Sequence, residues 1–266
     1  MKNKIYLFTV LFSVLLFSGC GNSKGGGGFN LFTIDQDKEL GAQVMQEIES
    51  NPAEYPILDS AKYAAAYKYV YDIRNKVLNS GEVKHKNDFA WRIRIVGDDK
   101  TLNAFCTPGG YIYIYTGLIK YLESEDALAG VMGHEIAHAD LRHSTQQMTK
   151  IYGVQVLLDL LAGDRQMIKE ITTGLIGLKF SRSHETEADA ASVRYLCGTD
   201  YYASGGAKFF EKIAAEGGAQ PPQWLSTHPS PDNRIEHFHN EALERGCSGN
   251  QEYKQRYQQL INALPR

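Results

Sequence analysis

The chain has 266 residues, 43% of them hydrophobic, and a formal net charge of −3. A chain of this length can bury a substantial core, and the mild acidity argues against a nucleic-acid partner. Residues 1–19 carry Lys2 and Lys4 and no acid, so without them the charge of −3 becomes −5 over the remaining 247 residues, which strengthens the exclusion.

Lys2 and Lys4 precede an apolar stretch from Ile5 to Phe17, followed by Ser18, Gly19 and Cys20. This reads as a bacterial lipoprotein signal peptide, with an apolar region too short to stay as a spanning helix. Phe17 stands three residues before the cysteine, where Leu is the expected choice, and this leaves ordinary signal cleavage as the alternative. On the lipoprotein reading, residues 1–19 are removed and Cys20 is the lipidated first residue. Residues 20–30, with the Gly25–Gly28 run, are then a flexible tether. Several acyl chains, at about 0.8 kcal/mol per buried CH₂, make such anchoring stable. No long linker follows Asn30 and no convincing 34-residue repeat is present, so residues 31–266 read as one compact domain.

Helices are expected near 35–49 and 59–79. In the second, Tyr63, Tyr67 and Tyr71 fall at helical spacing and read as packing residues with exposed hydroxyls. Strands are expected near Trp91–Val96, Leu102–Cys106 and Tyr111–Tyr115, with helices for most of the remainder. WRIRIV and YIYIY alternate and PGG supplies a turn, which suits an antiparallel hairpin with one buried face. The fold class is therefore α+β, predominantly helical, with a small antiparallel sheet.

The run Glu125–Gln147 reads as an amphipathic helix with Ser124 as N-cap and Glu125 and Asp126 in the first turn. It carries His134-Glu135-Ile136-Ala137-His138. Two imidazoles four residues apart on a helix point the same way and can share one metal ion, which is the spacing of a zinc-peptidase site. Continuation of this motif to a third histidine would need Gly at 141 and His at 144, where the chain has Leu141 and Ser144. His143 lies one position off, about 180° around the helix from His134, and reads as a structural or surface residue. Apolar helical segments at 151–162 and 167–180, separated by Gly163-Asp164-Arg165, read as a helical hairpin on the core, with a lid or membrane-contacting element as the alternative. Beyond them, Glu185 and Asp189 are four apart on a further helix. Glu185 can be the third ligand, while Asp189 reaches back to a ligand imidazole and sets its tautomer; Glu187 points elsewhere.

With HEIAH and SRSHETEAD in place, NAFCTPGGYI before them and THPSPDNRI after them, the chain resembles the HtpX and CAAX-prenyl-protease family of zinc metallopeptidases, gluzincins of peptidase family M forty-eight. The resemblance runs from about Lys38 to about Glu244 and points to the soluble periplasmic lipoprotein branch, hence a zincin-like domain. It implies one Zn²⁺ held by His134, His138 and Glu185, with Glu135 as general base for a water at the open position. It further implies His228 above the metal, as oxyanion stabiliser or as an inhibitory fourth ligand, and Arg234 as a second transition-state stabiliser. A plain loop is the alternative for His228-Pro229. The segment Asn103, Ala104, Phe105 and Cys106 is then the sheet edge along which an extended substrate pairs. The implied substrates are polypeptides, namely misassembled envelope proteins, met at the periplasmic face of the outer membrane. A latent zinc-stabilised assembly factor and a small-substrate hydrolase are the competing classes. Two imidazoles and a carboxylate also suit other divalent ions.

Three cysteines remain after Cys20. Cys197 and Cys247 end helices expected to pack near the metal, and a bridge between them is expected, against two separate buried thiols. Cys106 is left as a buried small hydrophobe.

Overall fold

The computed structural model describes residues 28–161, 165–217 and 222–266, without the side chains of 154–161. The signal peptide, Cys20 and Gly163 lie outside the described residues. In chain order the elements are α1 (Ile34–Glu49), α2 (Ala64–Leu78), β1 (Arg92–Val96), β2 (Ala104–Thr107), β3 (Tyr111–Tyr115), α3 (Thr116–Tyr121), α4 (Glu125–Asp140) and α5 (His143–Leu161). They continue with α6 (Arg165–Ile176), α7 (Arg182–Cys197), α8 (Ala207–Ala215), α9 (Trp224–Thr227), α10 (Arg234–Glu244) and α11 (Lys254–Asn262). The α+β, mainly helical class holds. No described helix is long and apolar enough to cross a membrane.

The sheet differs from the expected hairpin. Its order is β1-β3-β2, with β2 antiparallel to β3 through the Pro108-Gly109-Gly110 turn and β1 parallel to β3, so the sheet is mixed. The crossing from β1 to the far edge places β3 in the centre, and both of its faces are covered. Ile93, Ile95, Ala104, Cys106, Ile112 and Ile114 join the larger core, to which α4 belongs. Phe105, Tyr113 and Tyr115 point the other way, into a second core with Leu40, Val44 and Ile48 of α1, Met148 of α5 and Ile171 of α6. The alternation predicts one buried face; tyrosine and phenylalanine on the second face are instead buried as well, under α1 and α6. Burying each such large side chain contributes about 1.5–3 kcal/mol. Gly109 and Gly110 have φ of 74° and 81°, the left-handed backbone that glycine adopts without a Cβ clash.

Helix α2 begins at Ala64 rather than near 59, and its tyrosines are more tightly bound than expected. The buried Tyr67 hydroxyl donates to the Leu58 carbonyl and accepts from Ile95 N–H, while the Tyr71 hydroxyl accepts from Ile93 N–H. These hydroxyls tie α2 to β1 rather than facing water.

Helix α4 is buried along its whole length, including its first-turn acids, so it is not amphipathic. Asp126 is paired with Lys208 at 2.7 Å, and Glu125 with Arg256 and the Tyr201 hydroxyl. Ser124 occupies the N-cap position without a side-chain cap bond. The helix also ends earlier than expected. Arg142 has φ of 62°, which breaks the run between α4 and α5, and its guanidinium bonds Asp37 and the Phe32 carbonyl. A non-glycine residue in this region costs on the order of 1–3 kcal/mol and persists only where its surroundings hold it.

α4 packs most extensively on α7, and small residues set the closeness. The Ser192 hydroxyl donates to the Gly130 carbonyl at 2.9 Å, and a Cβ on Gly133 would stand 2.9 Å from Ser192 Oγ. On the other side, a Cβ on Gly130 would meet the Gly206 nitrogen at 2.1 Å. At the far end of α7, Cys197 is bonded to Cys247, with their Cα atoms 5.0 Å apart, while Cys106 is a buried free thiol.

Candidate metal centre

α4 and α7 pack against each other, and His134 and His138 of one face Glu185 and Asp189 of the other. α7 is started by Ser181, whose hydroxyl accepts from His184 N–H at 3.2 Å, and this cap places Glu185 in the first turn. The short α9 ends at His228. It is held over the helix pair by Trp224 N–H donating to the Leu102 carbonyl and Phe180 N–H donating to the Thr227 carbonyl, both at 3.1 Å.

One donor atom from each of His134, His138, Glu185 and His228 falls within 4.8 Å of all the others, and all four residues are buried. Nε2 of His134 is 2.9 Å from Nε2 of His138, 3.3 Å from Nδ1 of His228 and 3.4 Å from Glu185 Oε2. Glu185 Oε1 is 3.1 Å from His228 Nδ1 and 3.4 Å from His138 Nε2. Tetrahedral bonds of about 2.0–2.2 Å put ligand atoms roughly 3.3–3.6 Å apart, so the spacing suits one small divalent ion. Glu185 Oε2 is buried without an aligned hydrogen-bond donor, although Arg234 Nη2 stands 3.1 Å away. The residues present therefore fit a metal, and the three nitrogens and one carboxylate are a donor set of zinc type.

The outer contacts differ between the two α4 histidines. His134 Nδ1 lies 2.7 Å from Asp189 Oδ1, and Asp189 is gripped by Arg234 through Nε at 2.7 Å and Nη2 at 2.8 Å. Burial alone would lower the His134 pKa, but hydrogen bonds to Asp189 and Glu185 outweigh it and push it up to about 9. His138 is held well below the ordinary value by burial. Burial would raise the Glu185 carboxyl, but His228 and the surrounding imidazoles hold it well below the usual carboxylate range.

Glu135 is buried beside the cluster and does not join it. Its Oε1 accepts from Trp224 Nε1–H at 2.8 Å and lies 3.6 Å from His228 Nε2. Trp224 also stacks on His228, with centroids 4.5 Å apart, and Phe180 packs on His138 at 3.9 Å. Neither aromatic was singled out from sequence; the available signal was one of only two tryptophans, four residues before His228. Arg234 is 3% exposed and lies behind the ligands, sandwiched against Phe210 and Trp224, so its guanidinium is committed to Asp189 and Glu185 in this conformation.

β2 forms one edge of the sheet, beginning at Ala104. Ala104 and Cys106 belong to the core shared with α4, whereas Phe105 stacks on Tyr113 in the second core. Asn103 precedes the strand and its carbonyl accepts from Tyr115 N–H at 3.1 Å.

A model described as peptidase family M48 matches residues 65–242, more than half the chain and all of the residues just described. The chain belongs to peptidase family M48. Among curated relatives, it is 28% identical over 213 residues to the mitochondrial metalloendopeptidase OMA1 of Schizosaccharomyces pombe, covering 78% of this chain and 61% of that protein. It is 27% identical to the beta-barrel assembly-enhancing protease of Yersinia pestis over 79% of this chain and 44% of that protein. It is 25% identical to the metalloprotease YcaL of Escherichia coli over 90% of this chain and 97% of that protein. The chain thus spans at most about three-fifths of the first two and nearly the whole of the third.

Proposed function

We propose that this M48 chain is a zinc-dependent endopeptidase of the bacterial envelope, acting on unfolded or misassembled envelope proteins. The observation that carries the reading is the buried convergence of His134, His138 and Glu185 with Glu135 poised beside them. Bound zinc would supply Lewis acidity, lowering the pKa of a water and polarising the scissile carbonyl. Glu135 then takes the water proton and passes it to the leaving amine, oriented by the Trp224 indole. Asp189 keeps the Nδ1 proton of His134 in place and so leaves Nε2 free for the metal. β2 is an edge strand of the sheet, and an extended polypeptide would add there by main-chain hydrogen bonds, a mode that reads little of the substrate's sequence. The substrate class draws support from the assembly-enhancing protease of Yersinia pestis. Envelope anchoring through Cys20, at the periplasmic face of the outer membrane, rests on the leader reading and belongs to the same proposal.

One observation favours a second reading, a latent protease or assembly factor. His228 Nδ1 stands beside the ligand atoms of His134 and Glu185, where the water would sit, so the chain itself offers a fourth ligand. Cleavage of unfolded casein by wild type and Glu135→Gln, with bound metal quantified in both, tests the reading. Zinc in both with cleavage only by wild type is the expected result. Zinc in both without cleavage by either moves the assignment to the latent form, and absence of zinc overturns it.

A further inference from the structure

His143 and Glu187, set aside on sequence grounds, stand in line behind the second α4 histidine. In an unbroken helix, position 143 would lie about 140° around from position 138. The left-handed Arg142 ends α4 and turns the chain so that His143, the first residue of α5, folds back. Its Nδ1 comes to 3.0 Å from Nδ1 of His138, and its ring is fully buried and stacked on His184 at 4.4 Å. Nε2 of His143 points toward Glu187 Oε2 at 3.5 Å, and Glu187 accepts from the Ser183 hydroxyl at 3.1 Å.

The proton positions follow from the ring that faces the ligand cluster. His138 presents Nε2 to His134 and Glu185, so a metal bound there takes the Nε2 lone pair and leaves the single ring proton on Nδ1. Among the described residues, the partner of that Nδ1–H at hydrogen-bond distance is Nδ1 of His143, which must therefore accept. The proton of His143 is then on Nε2, directed at the Glu187 carboxylate. His134 is oriented by a carboxylate; His138 is oriented by a neutral imidazole whose own Nε2 lies 3.5 Å from one, without an aligned hydrogen bond.

We propose that His143 is a positioning residue of the metal centre, accepting the Nδ1–H of His138 so that Nε2 of that ligand stays free and correctly aimed. The proposal rests on the metal reading above. Arg142, through Asp37 and the Phe32 carbonyl, links this second arm to the N-terminal segment entering α1.

The test is metal affinity, read by competition with a chromophoric chelator and independent of proteolysis. His143→Leu and His143→Ala remove the acceptor with different effects on packing, while His143→Asn puts Oδ1 where Nδ1 stood. The expected result is a 10–100-fold weaker zinc affinity for the leucine and alanine variants, in line with loss of an orienting partner, and a value within about threefold of wild type for asparagine. Melting of each protein in excess chelator separates this from damage to the fold. Affinity that tracks the chelator-state melting temperature rather than the presence of an acceptor overturns the proposal, as does equal affinity in all four proteins. Failure of wild type itself to bind zinc would instead sink the underlying metallopeptidase reading.

Discussion

Breaking the Cys197–Cys247 bond tests how far the helix that carries Glu185 depends on a covalent tie. The bridge closes a loop with a sequence separation of 50 residues. In the chain-entropy model, a closed loop of about 50 residues removes roughly 14 cal/mol/K from the unfolded ensemble, or about 4 kcal/mol at 25 °C. For a domain of 150–250 residues each kcal/mol moves the melting temperature by about 2–4 °C, so the full effect is a fall of about 8–16 °C. The comparison is Cys197→Ala/Cys247→Ala against wild type by circular dichroism, in excess chelator so that metal binding does not add to the native state. Each single variant should fall about as far as the double. α7 is also fixed to α4 by the Ser192 to Gly130 hydrogen bond and by Asp189 on His134, so the metal stoichiometry should be unchanged. A shift under about 3 °C, or loss of metal with no shift, would refute the view that the bridge acts on the unfolded chain and not on the site.

Other outcomes follow from single residues. Gly130→Ala sets a Cβ 2.1 Å from the Gly206 backbone nitrogen, so α4 and the start of α8 must separate, at a cost of about 1–3 kcal/mol in chemical denaturation; an unchanged midpoint would show that the contact yields freely. His228→Ala should increase turnover of a short peptide if the imidazole occupies the water position, and decrease it if the imidazole stabilises the oxyanion. Unchanged turnover removes both roles. Burial, with the nearby Glu135 charge, pushes the Cys106 thiol well above its ordinary pKa, so native protein at pH 8 should resist iodoacetamide there for hours while unfolded protein reacts; rapid native labelling would contradict the burial. Asp189→Asn should weaken zinc binding 10–100-fold, and equal affinity would mean that Arg234 and Asp189 serve the fold alone.

The local order of the chain determined a great deal. Helical spacing is short-range geometry, so two histidines at i and i+4 face one way wherever the helix lies, and Glu185 and Asp189 share a face for the same reason. Alternating runs bounded by Pro-Gly-Gly likewise announced strands and the turn between β2 and β3. What local order could not supply is which faces meet. Parallel pairing of β1 with β3, burial of the tyrosine face under α1 and α6, and the hydroxyl ties from α2 to β1 depend on elements distant in sequence. Glu135 meeting Trp224 and Asp189 meeting Arg234 join residues 89 and 45 positions apart. The break at Arg142 is the sharpest case. Nothing in its own sequence requires a left-handed backbone; contacts with Asp37 and Phe32, more than a hundred residues earlier, hold it there, and that turn alone brings His143 onto His138.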